Sequence, residues 1–256
     1  MQEKIMEEMI EKNESLRIEG KDAIIRPEAI KDKLKEKLSV EDIITGASSV
    51  MNIIEFNQLQ MNLCGQCSQL KCNSKAQCCT RSRPNGSPTA TVMFINKMPS
   101  AYEAAAGTSF SDEKGMFLSL ILQKMNVDRG MVYMTDYIKC CNMQIDQESF
   151  KTCSETYLMK ELEIVDPKLI ICNGMSVMKT MATNKIIFGL PETVTYGNIY
   201  DVVYSVGRNA KIMCIYDLER VLQKTGNDFA ECKNNLWKQF LTGFNSIGGI
   251  KWIQTK

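Results

Sequence analysis

From Ala90 onward, short apolar runs alternate with helical stretches, and this alternation most narrows the folds open to the chain. The runs are Thr91–Ile95, Met131–Ile138, Lys168–Cys172, Val202–Val206 and Lys211–Ile215. Each has the length and composition of a buried strand. Between them, Ser111 and Asp112 can cap a helix with a stripe at Met116, Leu120 and Ile121. Helical patterns also cover Cys153–Val165, Met175–Met181 and Asp228–Leu241, the last with Leu236, Trp237 and Phe240. Continuous apolar strands separated by helices predict an α/β fold whose parallel strands are covered on both faces. The expectation is a three-layer α/β/α sandwich with a mostly parallel central sheet of about four strands.

The remainder of the chain reads differently. Residues 1–39 are charge-dense and helical in pattern, interrupted near Gly20 and Pro27. A second periodic segment, Val40 to Met61, carries Ile43, Ile44, Val50, Ile53, Ile54 and Phe56. The expected organisation is a helical N-terminal extension over 1–62, an α/β domain over 63–245 and a tail over 246–256. The extension reads as a solvated decoration or as an arm for a protein partner through residues 1–60. No apolar run approaches the ~20 residues of a membrane span, and MQEKIMEEMIEK has no signal-peptide core. A cytoplasmic protein is expected. With 31 basic and 30 acidic residues the net charge is +1, so any nucleic-acid binding needs a local patch.

The 256 residues include no histidine. That excludes Ser-His-Asp and Cys-His catalysis, His-ligated zinc and imidazole acids. There are eleven cysteines, and in a reducing compartment metal ligation is expected over disulfides. Five of them crowd the stretch Cys64 to Thr89, whose Ser, Asn, Gly and Pro make it a loop with no apolar face. A metal centre is the natural source of its order.

In order along the chain, these segments resemble the iron–sulfur, thermophile-type branch of the uracil-DNA glycosylase superfamily. The resemblance runs from Cys64 to Leu241. A C-x-x-C followed by Leu appears as Cys64, Cys67 and Leu70. The family's Gly-Glu-Ala-Pro-Gly loop after the first strand appears as Asn96-Lys97-Met98-Pro99-Ser100. Its Gly-x-Pro-Phe segment becomes Gly107-Thr108-Ser109-Phe110. The strand leading to Thr-Asn-x-x-Lys-Cys ends here in Thr135-Asp136-Tyr137-Ile138-Lys139-Cys140, after an Asp128-Arg129 turn. Glu148, Cys153 and Leu158–Leu162 follow, and the family's strand ending in Leu-Gly ends here in Asn173-Gly174.

The resemblance implies a [4Fe–4S] cluster on Cys64, Cys67, Cys140 and Cys153, because four thiolates complete such a cluster. Cys141 beside Cys140 leaves the third ligand open. Cys72, Cys78 and Cys79 keep an all-cysteine zinc site in play. Cys172 and Cys214 read as core packing. The family's base pocket needs a stacking aromatic, an amide that reads the flipped base, an acid and a donor to the leaving base. Phe110 keeps the aromatic, with Pro99 beside the base. Lys97 stands for the loop's acid, Asp136 for the amide and Tyr216 for the histidine. An ionised Asp136 offers acceptors only, so it would take an exocyclic amine and not uracil's O4. Two functions follow. One is a glycosylase-like protein that binds DNA or a partner without ordinary uracil excision, with Lys71, Lys75, Arg81 and Arg83 as phosphate contacts. The other is an active DNA N-glycosylase of altered base specificity in DNA repair, with Asp136 or Glu103 as its acid.

Overall fold

The computed structural model describes residues 82–141, 147–187, 189–196, 199–207 and 210–249. The expected N-terminal extension, the C-terminal tail beyond Gly249, Cys64, Cys67, Cys72, Cys78 and Cys79, and Lys71, Lys75 and Arg81 lie outside them.

Five strands form one sheet: β1 (Val92–Asn96), β2 (Val132–Asp136), β3 (Leu169–Asn173), β4 (Tyr204–Val206) and β5 (Ala210–Ile215), in the order β2-β1-β3-β5-β4. The first three and β5 pair in parallel, and β4 adds a short antiparallel edge. The parallel core of four strands is thus as expected, and β4 makes the fifth. The connecting helices are α1 (Ala101–Ala106), α2 (Glu113–Lys124) and α3, which runs Gln147–Cys153, continues through a π turn at Ser154–Leu158 and ends in Met159–Val165. After β3 come α4 (Met175–Thr183) and α5 (Thr193–Tyr196), and after β5 come α6 (Leu218–Leu222) and α7 (Gly226–Ser246).

Strand side chains alternate between faces, and here both faces are apolar. Met93, Ile95, Tyr133, Ile170, Cys172, Ile212 and Cys214 pack on one side with Leu158, Ile164 and Val165 of α3 and Val177, Met178 and Met181 of α4. Val92, Phe94, Val132, Met134, Leu169, Ile171, Met213 and Ile215 pack on the other with Leu118, Ile121 and Leu122 of α2 and Leu236, Phe240 and Phe244 of α7. These are the three layers. Asp112 caps α2 as its sequence suggests, accepting from Gly115 N–H. The buried stripe of α2 is Leu118, Ile121 and Leu122, and Met116 and Leu120 stay half-exposed. The difference arises because the first turn turns Lys114 and Gly115 inward.

A strap, Ser82–Gly86, runs over the free side of β2. Asn85 and Met134 exchange backbone hydrogen bonds of 2.8 and 2.7 Å, and Ser82 N–H donates to Lys139 C=O at 3.2 Å. On its other side Arg83 N–H donates to Gly107 C=O (3.0 Å) and Ser109 N–H to Arg83 C=O (2.9 Å). Among the described residues no helix is long and apolar enough to cross a membrane.

Candidate active site

From β1 the chain passes to β2 on one side, then crosses to β3 on the other. In open α/β sheets such a reversal opens a crevice at the carboxyl ends of the strands, where ligands bind. Here the last residues of those strands, Asn96, Asp136 and Asn173, share one phase and one face, and all are polar and buried.

They form one hydrogen-bonded chain. Asn96 and Asp136 are Cα partners in the β1–β2 register, and Asn96 Nδ2 donates to Asp136 Oδ1 at 2.9 Å and to Met98 C=O at 2.7 Å. Asn173 Nδ2 donates to Asn96 Oδ1 at 3.0 Å, and Asn173 Oδ1 accepts from Leu218 N–H at 2.9 Å. Asp136 Oδ2 accepts from Ser82 Oγ (2.8 Å) and Ser109 Oγ (2.5 Å), and the two hydroxyl oxygens lie 2.9 Å apart. Asp136 is therefore 0% exposed, yet among the described residues its partners are uncharged donors and none is a cation. Asn96, Ser109, Asp136 and Asn173 stand where the resemblance noted from sequence would place Gly, Pro, Asn and Leu. These four residues and Ser82 form one contiguous network, in which the Asp136 carboxylate has donors on both sides.

Phe110 is held by a second buried group. It adopts φ +57°, a left-handed conformation unusual for an aromatic residue. Its N–H donates to Glu103 Oε1. Gly115 makes room for it, since a Cβ there would sit 1.9 Å from Phe110 C=O. The Phe110 ring meets Phe94 edge-on at 5.3 Å, with Lys114 Nζ 5.6 Å from its centre. Glu103 closes a capping box with Ser100 and pairs with Lys114, which also reaches Asp112 at 2.7 Å. Burial first, and then the negative charge of Asp136, push the Glu103 carboxyl above its ordinary value, against the pull of Lys114. Glu103, one of the two acids named from sequence, has both oxygens committed to Ser100 N–H, Phe110 N–H and Lys114.

Pro99 is buried in the loop after β1, and Lys97 is exposed, its C=O accepting from Ile138 N–H at 2.9 Å. Tyr216 lies beyond β5, half-buried and edge-on to Tyr200 at 4.7 Å, with its N–H on Gln239 Oε1 at 2.9 Å. The next residue, Asp217, caps α6 by accepting from Glu219 N–H at 3.0 Å. Its sequence signal, an Asp before Leu-Glu-Arg, was available. Ser82 and Asn96 carried no signal by themselves. Arg83 is exposed on the strap beside Gly107.

Of the cysteines assigned to a cluster, Cys140 and Cys153 are described, 6% and 3% exposed, in one apolar cluster on the α3 side of the sheet. Cys141 is half-buried. Two buried thiols on the same side of the sheet are soft donors of the kind an iron–sulfur set uses, and they would supply half of one. Among the described residues no three Cys, Asp or Glu side chains converge as a metal site. Cys172 and Cys214 are fully buried in β3 and β5, and burial pushes the Cys214 thiol up to about 12, as inert core thiols require.

The family model for the uracil DNA glycosylase superfamily matches residues 83–241. The type-4 uracil-DNA glycosylase of Archaeoglobus fulgidus is 28% identical over 171 residues, covering 64% of this chain and 79% of that one. Its counterpart from Pyrobaculum aerophilum is 31% identical over 93 residues, 35% of this chain and 47% of the relative. That of Sulfurisphaera tokodaii is 28% identical over 93 residues, 35% and 42%. With a topological switch point at β1 of a parallel sheet and a family match over more than half its length, the chain belongs to the uracil-DNA glycosylase superfamily.

Proposed function

We propose that the chain is a DNA N-glycosylase of altered base preference, which takes a nucleotide turned out of DNA into the crevice above β1, β2 and β3. Its relatives' names, type-4 uracil-DNA glycosylase, favour excision over binding alone. One observation carries the altered preference. At the ends of β1 and β2 the side-chain donors are already committed: Asn96 Nδ2 uses both hydrogens, and the Ser82 and Ser109 hydroxyls serve Asp136. Acceptor capacity remains on Asn96 Oδ1 and Asp136 Oδ1, each taking one donor of two, and both are buried until the strand ends open to admit a base. Such an edge suits a base presenting N–H donors and leaves uracil's O4 without a partner.

Asp136 also returns the negative charge that Lys97 removes from the loop. A carboxylate balanced only by dipoles keeps its field, which reaches Glu103 and Glu161. That field would favour the positive charge a sugar develops as its base departs. Phe110 faces the base, Pro99 flanks it, and the Tyr216 phenol donates to the leaving base. Lys97 and Arg83, both exposed, contact DNA phosphates. Cys64, Cys67, Cys140 and Cys153 would hold a [4Fe–4S] cluster, whose part is to fasten the cysteine loop to the domain. Iron and sulfide analysis of anaerobically purified protein separates it from zinc.

The test is single-turnover base release from oligonucleotides carrying uracil, hypoxanthine, xanthine or alkylated bases. Release of an N–H-rich base should exceed that of uracil by about tenfold or more, the cost of one unpaired polar group. Asp136→Ala should slow it by roughly 100-fold. Salt-sensitive DNA binding with no base released would establish the binding-only reading instead, which the solvent-facing Lys97 favours.

A further inference from the structure

Below the crevice, on the α3 side of the sheet, lies a buried ion pair that the proposed chemistry does not use. Lys139 and Glu161 are 2% and 0% exposed. Lys139 Nζ lies 2.7 Å from Glu161 Oε1 and 2.8 Å from Oε2. Thr135 closes the triangle: its hydroxyl accepts from Lys139 at 2.6 Å and donates to Glu161 Oε2 at 2.7 Å. Burying two charges is costly and often gains no stability over an apolar pair, so a specific geometry is the better reason to find one here.

The geometry concerns Cys140 and Cys153. Lys139 precedes Cys140 directly, and Glu161 sits on α3, the helix that also carries Cys153. In an uninterrupted α-helix, residues eight apart are turned about 80° from each other, at about 100° per residue. The π turn at Ser154–Leu158 lies between Cys153 and Glu161 and absorbs about one extra residue, which brings them back to one face. The buried residues Cys153, Tyr157, Glu161 and Val165 recur every four along that face. A second tie runs from the same loop: Tyr137 accepts from Asn184 Nδ2 at 3.0 Å and meets Phe150 of α3 edge-on at 5.3 Å.

We infer that the Lys139–Glu161–Thr135 triangle is a positioning device that presents Cys140 and Cys153 as a preformed half of the cluster site, independently of metal. The inference rests on reading these two cysteines as cluster ligands. The half-site stands before iron arrives. Groups that orient metal ligands without touching the metal typically change affinity by about 10–100-fold when removed.

The test uses the full chain, purified without oxygen, with iron and acid-labile sulfide per chain, the rate of iron loss to a chelator and the melting temperature as readouts. Lys139→Met/Glu161→Leu removes both charges together, leaves neither unpaired and should fold. It should melt near the wild type yet lose iron to the chelator about tenfold faster. Thr135→Val serves if the double variant does not fold, with faster iron loss at near-unchanged melting expected. Wild-type iron content and wild-type chelator kinetics in a folded variant would overturn the positioning role and leave the cluster itself intact. A wild-type chain that takes up no iron would overturn the cluster and this inference with it.

Discussion

Thr135 and Asp136 are neighbours at the end of β2, and each opens onto a different buried carboxylate. Thr135 faces α3, where the Glu161 carboxylate meets a lysine. Asp136 faces the other side, where its own carboxylate meets an amide and two hydroxyls. Both are fully buried. The first cluster is close to neutral as a whole and acts by geometry. The second has no cation among its described partners, and beside burial its charge helps raise the Glu103 and Glu161 carboxyls. Similar burial on two faces of one strand end thus yields an ion-pair clamp on one side and a carboxylate balanced by dipoles on the other.

The contrast can be broken most severely at the clamp. Glu161→Ala strands a buried ammonium and should cost about 3–5 kcal/mol in urea unfolding. Asp136→Ala leaves neutral donors behind and should cost less, about 1–3 kcal/mol. If the two losses are equal, the distinction between ionic and dipolar balance fails. Ser109→Ala removes one of three donors to Asp136 and should cost about 1 kcal/mol, with coupling to Asp136→Ala in a double-mutant cycle. The smallest effect is in pH dependence. The Glu103 carboxyl is raised above 4.5 by burial and by Asp136. It therefore takes up a proton more readily folded than unfolded. Its stabilising contribution is present below 4.5 and fades as pH rises through the raised value. Glu103→Gln should flatten that decline in unfolding free energy, and Asp136→Asn should shrink it.

The strands were legible because burial on both faces leaves an unbroken apolar run, as in Ile170, Ile171 and Cys172. The same rule cut β1 and β3 short in the reading. Asn96 and Asn173 look like loop residues until their partners, 77 positions apart in sequence, meet across the sheet. Ser82 and Ser109 were illegible for the same reason, since a lone serine does not announce a carboxylate. Asp136 was legible as a substitution but not as the centre of a compensated group. The π turn leaves no periodic trace, because the apolar spacing over Cys153–Val165 fits a plain helix. Helix α7 runs to Ser246 and not Leu241 because Gly243 and Phe244 continue its buried face against the sheet.

The strap over β2 has a consequence for handling the protein. β2 is an edge strand of the parallel sheet, and unpaired edges invite pairing with other chains. Asn85 covers the amide and carbonyl of Met134, and Gly86 lets the strap lie so close that a Cβ would fall 2.4 Å from Val132 C=O. The strap lies at the end of the cysteine-rich stretch in sequence, and a change that pulls it away bares a sticky ladder. Aggregation would then begin at an uncovered β2, with the rest of the sheet still folded.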